Sequence, residues 1–315
     1  MKNPIVCVGS ALVDELFFSK ESILPATSNP AESQRYVGGV ITNIARHLAL
    51  LGESVQLITY LGDDSDAQWI CKVCTSDGID MSASIVGDVA TGKYVSLLNP
   101  DGSLFSAVSV DQAPQFINAA ALELKQNILA QAGMIITDTN ICSSAIQWLI
   151  DFSVKNQIPL IIEPVSVVKA AKISSLNLNN VFMITPNEDE LKAISSTHDT
   201  SIAVQTLLDK GIQQIWLRKG SAGSVMYSNS STIELEAKKI EVVDSTGAGD
   251  AALAGWVSAV MDKHHQLAAM QYGHTLAFEV LQMKGAVMPH INKQSLTNTV
   301  NKYYPDAKIL TPHTS

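Results

Sequence analysis

The run Asp244-Ser245-Thr246-Gly247-Ala248-Gly249-Asp250 sets a carboxylate beside a cluster of backbone amides where the apolar helix Ala251-Ala252-Leu253-Ala254-Gly255-Trp256 opens. The first N–H groups of a helix lack intrahelical acceptors, and the aligned peptide dipoles favour negative charge there. Gly247 and Gly249 carry no Cβ that would hold a phosphate away from those amides. Asp250 would repel such a phosphate unless its charge has a use, and accepting a proton from a hydroxyl nucleophile is one. The pattern suits phosphoryl transfer, with a Gly-rich turn capped by Asp as the structural alternative.

Four further groups could supply the rest of such a site. Gly38-Gly39-Val40-Ile41-Thr42-Asn43 allows close approach to a helix start and offers the Asn43 amide to a hydroxyl-rich substrate; a structural Gly-Gly turn explains it equally well. Asp14, in Gly9-Ser10-Ala11-Leu12-Val13-Asp14, follows the first strand at the end where open α/β sheets bind ligands, and its carboxylate can accept two sugar hydroxyls; a helix cap or solvated loop residue is the alternative. Asn187 and Glu190 open a helix and can face one side of its first turn. They could organise Mg²⁺ through waters, or simply form an acidic helix start. Arg218-Lys219-Gly220-Ser221-Ala222-Gly223 follows a strand and could bend around a nucleotide or make an ordinary hairpin turn.

The elements that must position these groups alternate. Ile5–Val8, Val55–Thr59, Met134–Thr137, Leu160–Ile162, Val181–Thr185 and Ile215–Arg218 are short apolar runs that read as strands buried on both faces. Helical patterns lie near Asn43–Leu51, Ser65–Ser76, Ala119–Ala130, Ser143–Lys155, Glu188–Ile194, Ile202–Leu208, Asp250–Met261 and Gln266–Met283. This order predicts an α/β fold with a mostly parallel sheet between helices. Two segments break the rhythm. Tyr94–Leu98 and Leu104–Val110 flank the turn Asn99-Pro100-Asp101-Gly102, which predicts a hairpin. The residues from about 15 to 36 also lack a helical period. Together they suggest a small β-sheet lid, contributed by about 15–36 and 91–110, inserted into one domain spanning 1–315.

Bulk properties narrow the class. With 21 basic and 30 acidic residues the net charge is -9, which argues against a general nucleic-acid-binding surface. Four cysteines make no secreted disulfide framework, and Cys71-Lys72-Val73-Cys74 has no second pair to complete a zinc site. The His264-His265 pair reads as a solvated turn. Met1-Lys2-Asn3-Pro4 enters a strand-like run without the apolar stretch of a signal peptide, and no run approaches a membrane span; the expectation is a cytoplasmic protein without a membrane partner. The tail from Tyr303 to Ser315 is expected to fray.

Taken in order, the Gly38-Gly39…Asn43 segment, Asn187-x-x-Glu190, Lys219-Gly220…Gly223 and Asp244–Asp250 resemble the PfkB, or ribokinase-like, carbohydrate kinases across nearly the whole chain. The resemblance implies a ribokinase-like three-layer α/β/α fold and ATP-dependent phosphorylation of a sugar or nucleoside hydroxymethyl group. It implies Asp250 as proton acceptor, with amides at Gly247, Ala248 and Gly249 stabilising the transferred phosphoryl group. Asp14, Gly38, Gly39 and Asn43 would hold the substrate. Asn187, Lys219, Gly220, Gly223 and Thr246 would serve ATP, and Glu190 would serve Mg²⁺ through water. A monovalent cation near Asp244 and Thr246, and a homodimer joined through the lids, are compatible with it. Ala252 stands where the family often has Phe, a change expected to concern helix packing. Within the family, Gly9–Asp14, Thr91–Leu98, Asp138-Thr139-Asn140-Ile141, Pro164-Val165-Ser166-Val167-Val168-Lys169 and Thr185-Pro186-Asn187 are most similar to the kinases of pseudouridine, which implies formation of pseudouridine 5′-phosphate and ADP. Uridine, adenosine, ribose or fructose, or a non-catalytic sensor of such a ligand, are the alternatives. Lys93 and Asn140 are candidates for contact with the base.

Overall fold

A computed structural model describes residues 3–305. The expectations for Met1-Lys2, and for the tail after residue 305, lie outside the described residues.

Nine strands form the main sheet, in the order Thr232–Leu235, Ser224–Ser228, Gln214–Arg218, Met183–Ile184, Leu160–Glu163, Met134–Asp138, Ile5–Val8, Val55–Ile58 and Ile79–Asp80. The last seven run parallel, and the first two are an antiparallel extension. Alternate side chains feed two cores: Ile5, Cys7 and Ile136 pack on one face, and Val6, Val8 and Ile135 on the other. Burial on both faces explains why these strands read as continuous apolar runs. Helices Val40–Leu50, Ala248–Met261 and Gln266–Leu281 cover the first face, and Ser143–Asn156, Glu188–Ser195 and Thr200–Asp209 cover the second. The result is the expected α/β/α architecture.

A second, four-stranded sheet joins Ala31–Gly38, Leu12–Ser19, Gly92–Leu98 and Leu104–Val110 in that order. It begins at Leu12, three residues before the expected start, because Leu12 and Val13 already pair with Gly38 and Val37. The turn between the last two strands closes as its residues predict, with Gly102 at φ 85° and the Asn99 amide donating to Ser103 O at 2.9 Å. Elsewhere the expected helix Ala119–Ala130 divides into Ala119–Glu123 and Gln126–Leu129. Exposed Leu124 sits at the break, where Lys125 N turns back to Leu122 O in a three-residue bond. Val181–Thr185 keeps only Met183–Ile184 in the ladder before Pro186 ends it.

Among the described residues no helix is long and apolar enough to cross a membrane.

Candidate active site

Successive strands change direction of progress along the main sheet between Ile5–Val8 and Met134–Asp138, and ligands bind beyond the C-terminal strand ends at such a point. A cavity of about 1260 Å³ opens there. That exceeds the ~300–1,000 Å³ typical of a site for one small ligand and suits two. Its wall follows the strand order: Ser224, Trp216, Arg218, Asn187, Glu163, Asn140 and Ser10 all line it. Tyr94, Ser109 and Asp111 reach it from the small sheet.

Asp250 lies in the first turn of Ala248–Met261 and is only 8% exposed. Burial pushes its carboxyl up to about 8; the Asn43 amide and Arg218 oppose the shift, while Glu163 and Asp138 add to it. Asn43 Nδ2 donates to Asp250 Oδ2 at 2.9 Å across 207 residues of sequence. That contact exists because the helix Val40–Leu50 starts earlier than its pattern suggests, with Gly39 as N-cap at φ 102°. Asn43 is therefore inside the helix, its side chain free of capping duty. A Cβ on Gly39 would stand 2.3 Å from Ser10 O, so the Gly-Gly turn is structural as well as open to a ligand.

The residues before Asp250 form an amide-lined turn. Gly247 is the N-cap at φ 76°, and the Gly247, Gly249 and Asp250 amides meet no acceptor among the described residues. The Ala248 amide leans back on Ser245 O at 3.5 Å. Asp244 ties the turn: its carboxylate accepts from Thr246 N at 2.9 Å, Thr246 Oγ1 at 2.7 Å and Gly285 N at 3.0 Å. Against the upward pull of burial, these bonds hold Asp244 below the usual carboxylate range. A Cβ on Gly249 would meet Arg218 Nη1 at 2.5 Å, so the guanidinium lies directly beneath the turn. Arg218 bonds Glu163 Oε1 at 2.6 Å and the Thr185 carbonyl, and Thr185 Oγ1 donates to the other Glu163 oxygen. Motif spacing alone does not reveal this Arg218–Glu163 pair, since 55 residues separate the partners.

The other expected residues divide. Asp14 lies in the small-sheet strand, opposite Tyr36 and Tyr94, and is neither a helix cap nor a residue of the loop after the first strand. It lines the cavity without a hydrogen-bond partner among the described residues, and burial pushes it up to about 6. Gly38 packs on Asp14 and stays outside the cavity wall; a Cβ there would fall 2.2 Å from Asp14 Oδ2. Asn187 and Glu190 line the cavity but are also a reciprocal capping box, Glu190 N to Asn187 Oδ1 and Asn187 N to Glu190 Oε2, both 2.9 Å. One oxygen of each is thereby committed, and burial holds the Glu190 carboxyl above its usual range. Gly220 and Gly223 line the cavity in a 3-10 turn that leads into an antiparallel strand, whereas Lys219 does not reach the wall. Lys93 pairs with Asp66 at 2.7 Å and is likewise outside it. Asn140 is inside. Ala252 also lines the cavity beside Trp216, so its small side chain shapes the site as well as the helix packing.

The end of the cavity at Trp216 and Ser224 is apolar, with Ala277, Phe278 and Leu281. Trp216 Nε1 donates to Ser224 Oγ at 2.8 Å, and Ser224 Oγ is 2.7 Å from His274 Nε2. An indole N–H only donates, so Ser224 Oγ accepts from Trp216 and shares a second hydrogen bond with His274 Nε2 whose direction follows the imidazole tautomer. Burial lowers His274 to about 4 and keeps it neutral. Asp14, Asn43, Asp111 and Lys169 make the opposite end polar.

Comparison with known proteins agrees with this geometry. Residues 2–293 match the model of the pfkB family carbohydrate kinases. The chain is 31% identical over 269 residues to a pseudouridine kinase of Escherichia coli, covering 83% of this chain and 85% of the relative. The fold is similar to that of Arabidopsis thaliana ribokinase solved with ribose and ATP, with a TM-score of 0.83, 23% identity, and 95% of this chain and 99% of that one covered. It is also similar to an E. coli chain of the same fold solved with ATP and Mg²⁺, with a TM-score of 0.82, 16% identity, and 95% and 99% covered. The chain belongs to the pfkB family of carbohydrate kinases, phosphotransferases that use an alcohol group as acceptor.

Proposed function

We propose that this kinase transfers the γ-phosphoryl group of ATP to the 5′-hydroxyl of pseudouridine, giving pseudouridine 5′-phosphate and ADP. The observation that carries the reading is Asp250, a buried carboxyl group held by Asn43 beside amides that have no acceptor among the described residues. The cavity around it is polar at one end and apolar at the other, as a hydroxyl-rich acceptor and a purine nucleotide require. The specific acceptor is supported by the 31% identity to the E. coli pseudouridine kinase.

Asp14 and Asn43 accept and donate to ribose hydroxyls, and this fixes the 5′-oxygen near Asp250. As that oxygen bonds to the γ-phosphorus, its proton goes to Asp250; the bond from phosphorus to the β–γ bridging oxygen breaks, and its electron pair leaves with ADP. The Gly247, Gly249 and Asp250 amides face the charge spread over the transferred group. Gly220 and Gly223 border the nucleotide end, and Thr246, tied by Asp244, holds the amide turn in shape. Lys219 and Gly38 act behind the cavity wall. Mg²⁺ fits an ion carried in on the phosphates: Glu190 keeps one carboxylate oxygen outside its cap, and no group of three ligating side chains exists among the described residues. When bound, the ion neutralises phosphate charge.

The test is a kinase assay on pseudouridine, uridine, adenosine, ribose and fructose with product mass measured. Pseudouridine is expected to give the ATP-dependent product with the highest kcat/KM. A product from another acceptor and none from pseudouridine rejects the substrate, and no product from any rejects the kinase reading.

The pH profile tests the base. Ionised Asp250 is the active form, and a free-enzyme value of about 8 leaves roughly a tenth of it ionised at pH 7. The kcat/KM is expected to rise about tenfold per unit below that value and to level off above it. A flat profile between pH 6 and 9 would rule out Asp250 as the titrating base.

A further inference from the structure

We infer that Asp111 and Lys169 form an acceptor–donor pair that reads adjacent N–H and C=O groups on a pyrimidine ring carried by the substrate. The inference rests on the nucleoside reading above and deepens it.

Both residues line the polar end of the cavity, from different layers. Asp111 follows the small-sheet strand Leu104–Val110, and Lys169 lies in the short helix Val167–Ala170 beyond the main-sheet strand Leu160–Glu163. Asp111 Oδ1 is buried without a hydrogen-bond partner, a costly state for a carboxylate until a donor arrives. The cation that acts on it is Lys169.

Asn140 lines the same cavity and ties Lys169 to Asp138. It donates Nδ2 to Asp138 Oδ2 at 2.8 Å, and its Oδ1 accepts from Lys169 Nζ. Asn140 therefore positions the ammonium, and one Nδ2 hydrogen remains on it toward the cavity it lines. An ammonium has three donors, so two remain on Lys169. The backbone before it is strained: Ser166 N bonds Pro164 O at 2.8 Å around Val165, a β-branched residue at φ 70°. Such a γ-turn is rare, and strain of this kind is kept where it aims a functional segment.

A carboxylate acceptor beside an ammonium donor matches a ring with N–H next to C=O. A uracil ring presents that pair on the edge away from its sugar. When the ring is linked through carbon, an N–H flanks the distal carbonyl on both sides; when linked through nitrogen, on one side only. Cytosine reverses the pattern with an amino donor beside a bare ring nitrogen, and a free pentose has neither group. A site built to hydrogen-bond a substrate group rejects analogues that lack it, because its own buried groups then stay unpaired.

The experiment measures kcat and KM for pseudouridine, uridine, cytidine and ribose with the parent, Asp111→Asn, Lys169→Met and Lys169→Arg, each checked by thermal melting. Asp111→Asn and Lys169→Met are expected to raise the nucleoside KM about tenfold or more, relative to any change for ribose. Their kcat should stay within about threefold, and Lys169→Arg should recover most of the loss. Unchanged nucleoside KM, or an equal rise for ribose and nucleosides, would overturn the pair as a base reader. Parent turnover of uridine but not pseudouridine fails the substrate reading alone, and the pair is then measured on uridine. Parent turnover of ribose alone, or of none of the four, overturns both.

Discussion

Replacing Asp250 by Asn is expected to lower kcat by about 10²–10⁴ while the protein stays folded. The amide is isosteric and keeps an oxygen for the Asn43 Nδ2 bond, but it cannot take the hydroxyl proton. Stability should move the other way. Burial raises Asp250 to about 8 from the ordinary aspartate value of 3.8, so between those values the folded chain binds a proton that the unfolded chain does not. The stability this group contributes is complete below the unfolded value and is lost as pH rises through about 8. An Asn at 250 escapes that loss. Its melting temperature should therefore match the parent's near pH 4 and exceed it above pH 8. Equal turnover by mutant and parent would reject Asp250 as the base and favour a binding protein without catalysis; a lower melting temperature at high pH would reject the burial account.

Arg218→Met is expected to destabilise the fold by about 3–5 kcal/mol. The change removes the cation from Glu163, which is 3% exposed and would keep only the Thr185 hydroxyl as partner. An unpaired buried carboxylate accounts for most of that cost, so adding Glu163→Gln should recover a large part of it. Denaturant midpoints of the two single variants and the double variant measure the coupling. Activity gives an independent readout. Arg218 pulls the Asp250 carboxyl down, so its loss should shift the rising limb of the pH profile upward. Losses that simply add in the double variant, with an unmoved profile, would reduce Arg218 to ordinary packing.

Much of the fold was legible because burial on both faces writes itself into consecutive residues. Ile5–Val8 and Met134–Thr137 could be recognised as strands without knowledge of their neighbours. The ends were less legible. Asn43 looked like a helix-start residue because the apolar pattern begins near it, whereas the helix begins at Val40 on a glycine in a left-handed conformation. Leu12 and Val13 lay before the expected lid segment, which began near residue 15, and pairing with Gly38 and Val37 makes them strand.

The amide turn and its Asp250 could be read from the sequence because glycines, a carboxylate and a helix start are local, adjacent in the chain, and chemically explicit. Asp14, Asn43, Asn187 and Glu190 were also singled out from the sequence and line the same cavity, whereas Asp111, Glu163, Trp216 and His274 line it without having been singled out as site residues. What the sequence could not specify is which of them touch. Asn43 meets Asp250, Arg218 lies under Gly249 and beside Glu163, and Asp111 shares one cavity with Lys169 because the sheet order brings distant strand ends to one edge. Local residue types determined the chemistry available. Long-range strand pairing decided the juxtapositions, and through burial it set the raised carboxyl of Asp250 and the unpaired carboxylate of Asp111, neither of which any single segment contains.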